Sequence, residues 1–376
     1  MGGSMNIREI RKDFPLLQRM VYFNSAAVGP NPLPVIRAGE RFQRERNFFH
    51  PERLPEWLRS LDKVRASVAA LIGAKPREIA FTTNTDDGLN IVASGFRRLR
   101  KGDAVVSNDL DFPTTHIVWG EMKRRRGIRY VVLPNRGGAV TAEDFAKQLP
   151  RRTRLASIAL VSNVNGYLHD VRGIADCVHA RGAFLFADAV QAVGNIPIDV
   201  RAMGIDFLAC AAYKWLLGPL GLAFFYIREE LLDEVLPLSG GWMQMERFVK
   251  PTTGERYTDA RKFEYGTLHF QGVAELQAAL AYRKRVGFRR TSDHAVGLGL
   301  RLQRALDSAG FRLFTPMGNR TPIVTFFADN GYEVAKKMLR RGISVMGRPG
   351  NVRVSPNFFN TEEEIDSFVD LLKRER

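Results

Sequence analysis

Along the middle of the chain, short continuous apolar runs alternate with stretches of helical period. Runs at 78–83, 104–107, 130–133, 155–161, 184–188, 207–211 and 222–227 predict strands, and 87–96, 115–126 and 174–181 predict helices between them. Runs that are continuous, rather than alternating, mean burial on both faces, so the sheet is expected to be mostly parallel with helices on each side. Upstream, Leu58, Leu61, Val64, Val68 and Leu71 share one helix face, and Gly73 stops that helix. Segment 239–265 breaks the pattern with Gly240-Gly241, Pro251, Gly254 and mixed charges, and predicts a long loop of functional kind. Beyond it, helices at 273–286, 292–309, 332–341 and 362–374 and strands at 323–327, 343–346 and 352–355 predict a smaller α+β unit. The expected division is an N-terminal arm at 1–28, a large α/β domain at 29–250 and a small C-terminal domain at 251–376. Met1–Ser4, ahead of a second methionine, reads as a cloning remnant.

Composition narrows the class. At 45% hydrophobic and 26% charged, the chain can fill a core. No apolar run approaches the ~18–20 residues of a membrane span, and no cleavable signal opens the sequence. Cys177 and Cys210 cannot build a disulfide framework or a cysteine zinc site, which predicts a soluble, cytoplasmic protein. The charge of +16 invites a nucleic-acid reading. Its clusters (Arg97, Arg98, Arg100, Lys101; 123–126; Arg151, Arg152, Arg154) instead sit at connections before strands, without the interleaved aromatics that base stacking requires. Only 13 of the 56 basic residues are lysines, so a lysine inside an apolar run stands out.

Three features fall at carboxyl ends of predicted strands, where open parallel sheets bind ligands. Asp188 closes the run Phe184–Ala187, with Gln191 three positions on; an aspartate there also serves as an ordinary cap or turn former. Lys214, in Tyr213-Lys214-Trp215-Leu216-Leu217-Gly218-Pro219, lies between two apolar stretches. Such a lysine either packs its stem and sends its head to water, or is desolvated into a nucleophilic amine that can form an imine. Thr82-Thr83-Asn84-Thr85-Asp86-Asp87 opens a helix after a strand, an ordinary cap or an anion cup for phosphate. Asp86 and Asp87 suit such a cup only if their side chains turn away. An imine-forming lysine, a carboxylate for a ring nitrogen and a phosphate cup together describe the needs of pyridoxal 5′-phosphate.

The sequence resembles the class V aminotransferase family of fold-type I pyridoxal-phosphate enzymes, which includes cysteine desulfurases and isopenicillin-N-epimerase-like proteins. The likeness runs from Tyr22-Phe23-Asn24-Ser25-Ala26-Ala27 to the last helix and is most specific at Asp188–Gln191 and Tyr213–Pro219. It implies that Lys214 carries the cofactor, Asp188 faces the pyridinium nitrogen and Gln191 donates to the ring hydroxyl. It implies that Phe112 stacks on the ring, and that Thr85, Asp86 and Tyr213 hold the phosphate. Thr267 would reach that phosphate from the neighbouring subunit of a homodimer, Arg353 would clamp the substrate α-carboxylate, and Asn163 would make a second substrate contact.

The departures matter as much. Desulfurases need a nucleophilic cysteine in the loop before the carboxylate-binding arginine, and Ile343-Ser-Val-Met-Gly-Arg-Pro-Gly-Asn351 has none. Phe112 stands where desulfurases carry an acidic histidine. The expected activity is therefore pyridoxal-phosphate chemistry at Cα of an amino-acid substrate, with transamination ahead of C–S lysis or epimerisation, and a non-catalytic binding role behind all three. No metal, nucleic acid or membrane is expected. Substrate choice is assigned to 47–57, 239–265 and 346–351.

Overall fold

The computed structural model describes residues 6–48, 53–250 and 253–375. Helix α1 (Ile7–Lys12) is capped by Asn6, whose side chain accepts from the Glu9 amide. A short strand β1 (Val21–Tyr22) and helices α2 (Leu33–Phe48) and α3 (Leu54–Ile72) follow. Gly73 ends α3 at φ +70°, a conformation that glycine adopts freely. Within the predicted segment 47–57, residues 49–52 lie outside the described residues.

The central sheet contains β2 (Ile79–Thr82), β3 (Ala104–Asn108), β4 (Arg129–Leu133), β5 (Thr153–Ala159), β6 (Phe184–Asp188), β7 (Phe207–Ala211) and β8 (Ala223–Ile227). Their order is β2-β8-β7-β6-β5-β3-β4, and β8 alone runs against the rest. Helices α4 (Thr85–Gly95), α5 (Pro113–Arg126), α6 (Ala142–Gln148) and α7 (Val171–His179) connect the strands. Successive strand residues face opposite sides. Val105, Leu155, Phe186, Phe207 and Phe225 therefore join Leu89, Phe96 and Trp119 in one core. Val106, Ala156, Leu185, Leu208 and Phe224 join Val64, Val68 and Ile72 in the other. The expected mostly parallel, doubly covered sheet is present, and it gathers the carboxyl ends of β2, β3, β5, β6 and β7 on one edge.

The segment 239–265 corrects the sequence reading. It holds the hairpin β9 (Met245–Lys250) and β10 (Thr253–Arg256), flanked by the short turns Trp242–Gln244 and Ala260–Phe263. Its glycines and mixed charges hid a ribbon whose two strands pair through their backbones. Helix α8 (Phe270–Val286) packs on α2 and α3, and α9 (Phe288–Ser308) leads to β11 (Val324–Asn330), α10 (Gly331–Arg340), β12 (Ile343–Ser344), β13 (Met346–Val354) and α11 (Glu362–Arg374). Strand β13 starts well ahead of the predicted 352–355, because pairing with β11 overrides the weak strand preference of Gly347, Pro349 and Gly350. A third core joins Leu298, Leu302, Phe326, Met338, Val354 and Phe368 to Phe23 of the N-terminal segment. That segment is tied in by β1 pairing with β12 and by a bridge from Asn24 to Ser355.

Candidate active site

The turn after β7 sets Lys214. Ala212 N donates to the Leu222 carbonyl at 3.0 Å, Gly218 N to Ala212 at 2.9 Å, and Gly29 N to Tyr213 at 2.9 Å. Leu217 takes φ +60°, unusual for a side chain with a Cβ. Gly29 lies so close that a Cβ there would strike the Lys214 carbonyl. Lys214 is only 7% exposed. Burial pushes its amine down to about 8, while Asp188 holds it up against that fall.

Asp188 is the last residue of β6 and accepts from the Val190 amide at 3.0 Å. Burial raises its carboxyl to about 6, with the Val190 amide and Lys214 opposing. Between Lys214 and Asp188 opens a cavity of about 230 Å³, which Thr85, Asp86, Phe112, Asn163, Gln191 and Tyr213 also line. Eight of the ten residues singled out in the sequence thus meet in one cavity. The rings of Phe112 and Tyr213 centre 6.0 and 5.6 Å from Lys214 Nζ.

Asn84 caps α4 through the Asp87 amide at 2.9 Å, and Thr85 Oγ1 accepts from Ala211 N at 3.1 Å. The two awkward carboxylates are occupied locally. Asp87 accepts from the Thr83 amide at 2.9 Å, and Asp86 from the Thr114 hydroxyl at 3.1 Å. First-turn amides of α4 remain available for an anion. Gln191 is more committed than the sequence implied. Its Nε2 donates to the Ala26 carbonyl at 2.9 Å and its Oε1 accepts from Trp215 Nε1 at 2.8 Å, leaving one amide hydrogen for the cavity.

Two expected residues lie outside this cavity. Arg353, on β13, is buried, and its Nη1 donates to the Asn163 carbonyl at 2.9 Å while its Nε has no partner. Asn163 therefore meets Arg353 through its backbone. Thr267 accepts from Trp242 Nε1 at 3.1 Å and lines a separate cavity of about 300 Å³ with Thr83, Asp87 and Asn90. Thr267 does not reach the cavity of its own chain.

Sequence reasoning missed Asn84, Asp111 and Arg348. Asn84 stood in the quoted turn, and the signal was read through Thr85 and Asp86. Asp111, which precedes Phe112, is buried, accepts from the Asn108 and Ala159 amides at 3.1 and 2.5 Å, and is pushed up to about 7 chiefly by burial. Arg348 donates to the Asn163 carbonyl at 3.1 Å and the Val164 carbonyl at 3.3 Å. The sequence reading placed it within 346–351, a segment assigned to substrate choice, without a role of its own. Neither cysteine lines the cavity: Cys210 is buried on β7, where burial pushes its thiol well up, and Cys177 lies on α7.

The donor set fits pyridoxal phosphate on its chemistry: a desolvated amine, a carboxylate that closes a strand, a flanking ring and first-turn amides on one edge. The buried Nε of Arg353 adds one guanidinium donor without an acceptor.

The family model described as Aminotransferase class-V matches residues 21–368. A probable cysteine desulfurase of Methanothermobacter thermautotrophicus is 32% identical, with 98% of each chain covered. An uncharacterized aminotransferase of Bacillus subtilis is 30% identical over 96% of each chain. Among solved structures, the apo cysteine desulfurase of Thermococcus onnurineus superposes with a TM-score of 0.91 at 26% identity, covering 100% of this chain and 99% of that one. From sheet order to strand-end lysine, the chain belongs to the class V aminotransferase family of pyridoxal-phosphate-dependent enzymes.

Proposed function

We propose that the protein is a transaminase acting at Cα of an amino acid, with its cofactor held at Lys214. The observation that carries this reading is the base inventory of the cavity. Lys214 is the one amine among the described lining residues, and it is tuned close to neutrality. Asp86 is engaged by Thr114, burial raises the Tyr213 phenol above its ordinary value, and Phe112 offers no proton. Transamination needs one base that carries one proton away from Cα and returns it nearby. Epimerisation needs a base on each face, and expulsion of a thiol is helped by an acid where Phe112 stands. Relatives named cysteine desulfurase share the Cα step, but residues 343–351 supply no cysteine to receive sulfur.

When bound, pyridoxal phosphate supplies an aldehyde for amine capture and a ring that accepts the electron pair left at Cα. Asp188, whose carboxylate lines the cavity, would keep a proton on the ring nitrogen. Phe112 would cover one ring face, and the remaining Gln191 amide hydrogen would reach the ring oxygen. The α4 amides, Thr85 and Tyr213 would anchor the phosphate, with the Asp86 side chain kept aside by Thr114. Arg353 would take the α-carboxylate with its planar fork. Lys214 Nζ would move the proton.

The test is a panel of amino acids with the reconstituted protein, with and without a keto acid. The expected result is amino transfer that requires the keto acid, with unreacted substrate keeping its handedness. Pyruvate with sulfide from cysteine, or racemisation independent of keto acid, would overturn it.

A further inference from the structure

Arg348 and Arg353 converge on one backbone turn. Both donate to the Asn163 carbonyl, at 3.1 and 2.9 Å, and Arg348 also reaches Val164 at 3.3 Å. Sharing one acceptor brings two guanidinium groups side by side; burial lowers the proton affinity of both, and Arg348 lowers that of Arg353 further. Neither has a carboxylate within 4.0 Å among the described residues. Arg65, as buried as Arg353, is matched by Glu264. Two like charges packed together without an acid raise the energy of the free protein, and a ligand that brings two anionic groups relieves it.

The scaffold fixes Arg348 in this position. A Cβ on Gly331 would strike the Arg348 carbonyl, and a Cβ on Gly347 would strike the Gly331 carbonyl, so the start of α10 is pressed against β13 on either side of Arg348. The positive pair is also close enough to Lys214 to depress the proton affinity of its amine. Asn163, the shared acceptor, lines the cavity.

We infer that Arg348 receives a second anionic group, carried on the substrate's side chain, so that the site takes amino dicarboxylates in preference to neutral amino acids. This rests on the reading that Arg353 takes the α-carboxylate: one carboxylate fills one fork, and the neighbouring cation remains for another.

The experiment uses the pyridoxal-phosphate-loaded protein and inert acids that cannot react. Dissociation constants of succinate and glutarate are compared with that of butyrate, from the shift in cofactor absorption and from the thermal melting midpoint. The expected result is a preference of about tenfold or more for the dicarboxylates, worth roughly 1.4 kcal/mol. Arg348→Met should abolish the preference, Arg348→Lys should restore part of it, and Arg353→Met should weaken both classes of acid. Arg348→Gln, which keeps amide hydrogens for the Asn163 and Val164 carbonyls, serves if the methionine variant does not fold. The ratio of kcat/KM for aspartate or glutamate over alanine should fall with the preference. No dicarboxylate preference in the unaltered protein, or one that survives Arg348→Met and Arg348→Gln, overturns the inference. So does an equal loss for both acid classes in those variants, which would place Arg348 on the α-carboxylate. A preference that Arg348 variants remove, in a protein that transaminates nothing, sustains the inference and overturns the proposed activity instead.

Discussion

Lys214 owes its reactivity to competing forces on one nitrogen. Burial pushes the amine down to about 8, and Asp188 pulls it back up. Below that value the amine is mostly charged and cannot attack an aldehyde. Capture of pyridoxal phosphate by the apoprotein, fixed by borohydride and read by mass at Lys214, should therefore rise about tenfold per pH unit below 8 and level off above it. A rate still climbing steeply past pH 9.5, as for a lysine of ordinary value near ~10.4, would contradict the desolvated environment. Asp188→Asn removes the group that holds the proton on, so the same curve should shift to lower pH. That variant should also lose ~10²–10³-fold in turnover, since the carboxylate would face charge on the bound ring. These residues were legible because each sits where an apolar run ends, and such a position predicts a strand's carboxyl end. Asp111 and Arg348 were not. Their significance lies in neighbours far along the chain, Ala159 and Asn163, which no local pattern announces.

At the level of elements, the site depends on how closely backbones approach. Gly29 donates to Tyr213 at 2.9 Å, and its missing side chain admits the Lys214 carbonyl. Gly29→Ala should cost about 1–3 kcal/mol of stability through overpacking and should weaken cofactor binding at the same time. Chemical denaturation and a cofactor titration would measure both, and a variant with full stability and affinity would show that the approach is dispensable. Central strands were read almost to the residue because both of their faces are buried, and that leaves an unbroken apolar signature. The hairpin of β9 and β10 and the early start of β13 were missed for the converse reason. Backbone pairing holds them, and backbone pairing leaves little trace in side-chain composition.

For the whole molecule, Thr267 is the residue out of place. It lies in a cavity of its own, hydrogen-bonded by Trp242, while the α4 amides occupy the other cavity. If its role is to meet a phosphate, it meets that of a second chain. Sedimentation should then find a dimer, and Thr267→Ala should loosen pyridoxal phosphate in the assembled form. An active monomer, or unchanged cofactor affinity in the variant, would remove Thr267 from the site. The resemblance supplied this assignment, because sequence periodicity carries no information about contacts between chains.

The N-terminal segment reaches its partners late. Asn31 donates to the Leu217 carbonyl at 2.8 Å, Gln191 holds Ala26, and Phe14 packs edge-on to Tyr282 and Phe358 and tilted against Phe359. A ribosome delivers this segment before every surface it docks on: Gln191 and Leu217 come midway along the sequence, and Phe358 and Phe359 only near its end. Until those late residues are made, Phe14 and Phe23 lack the rings that shelter them in the folded chain. The amine at the heart of the enzyme gains its final surroundings only when the oldest part of the chain comes home.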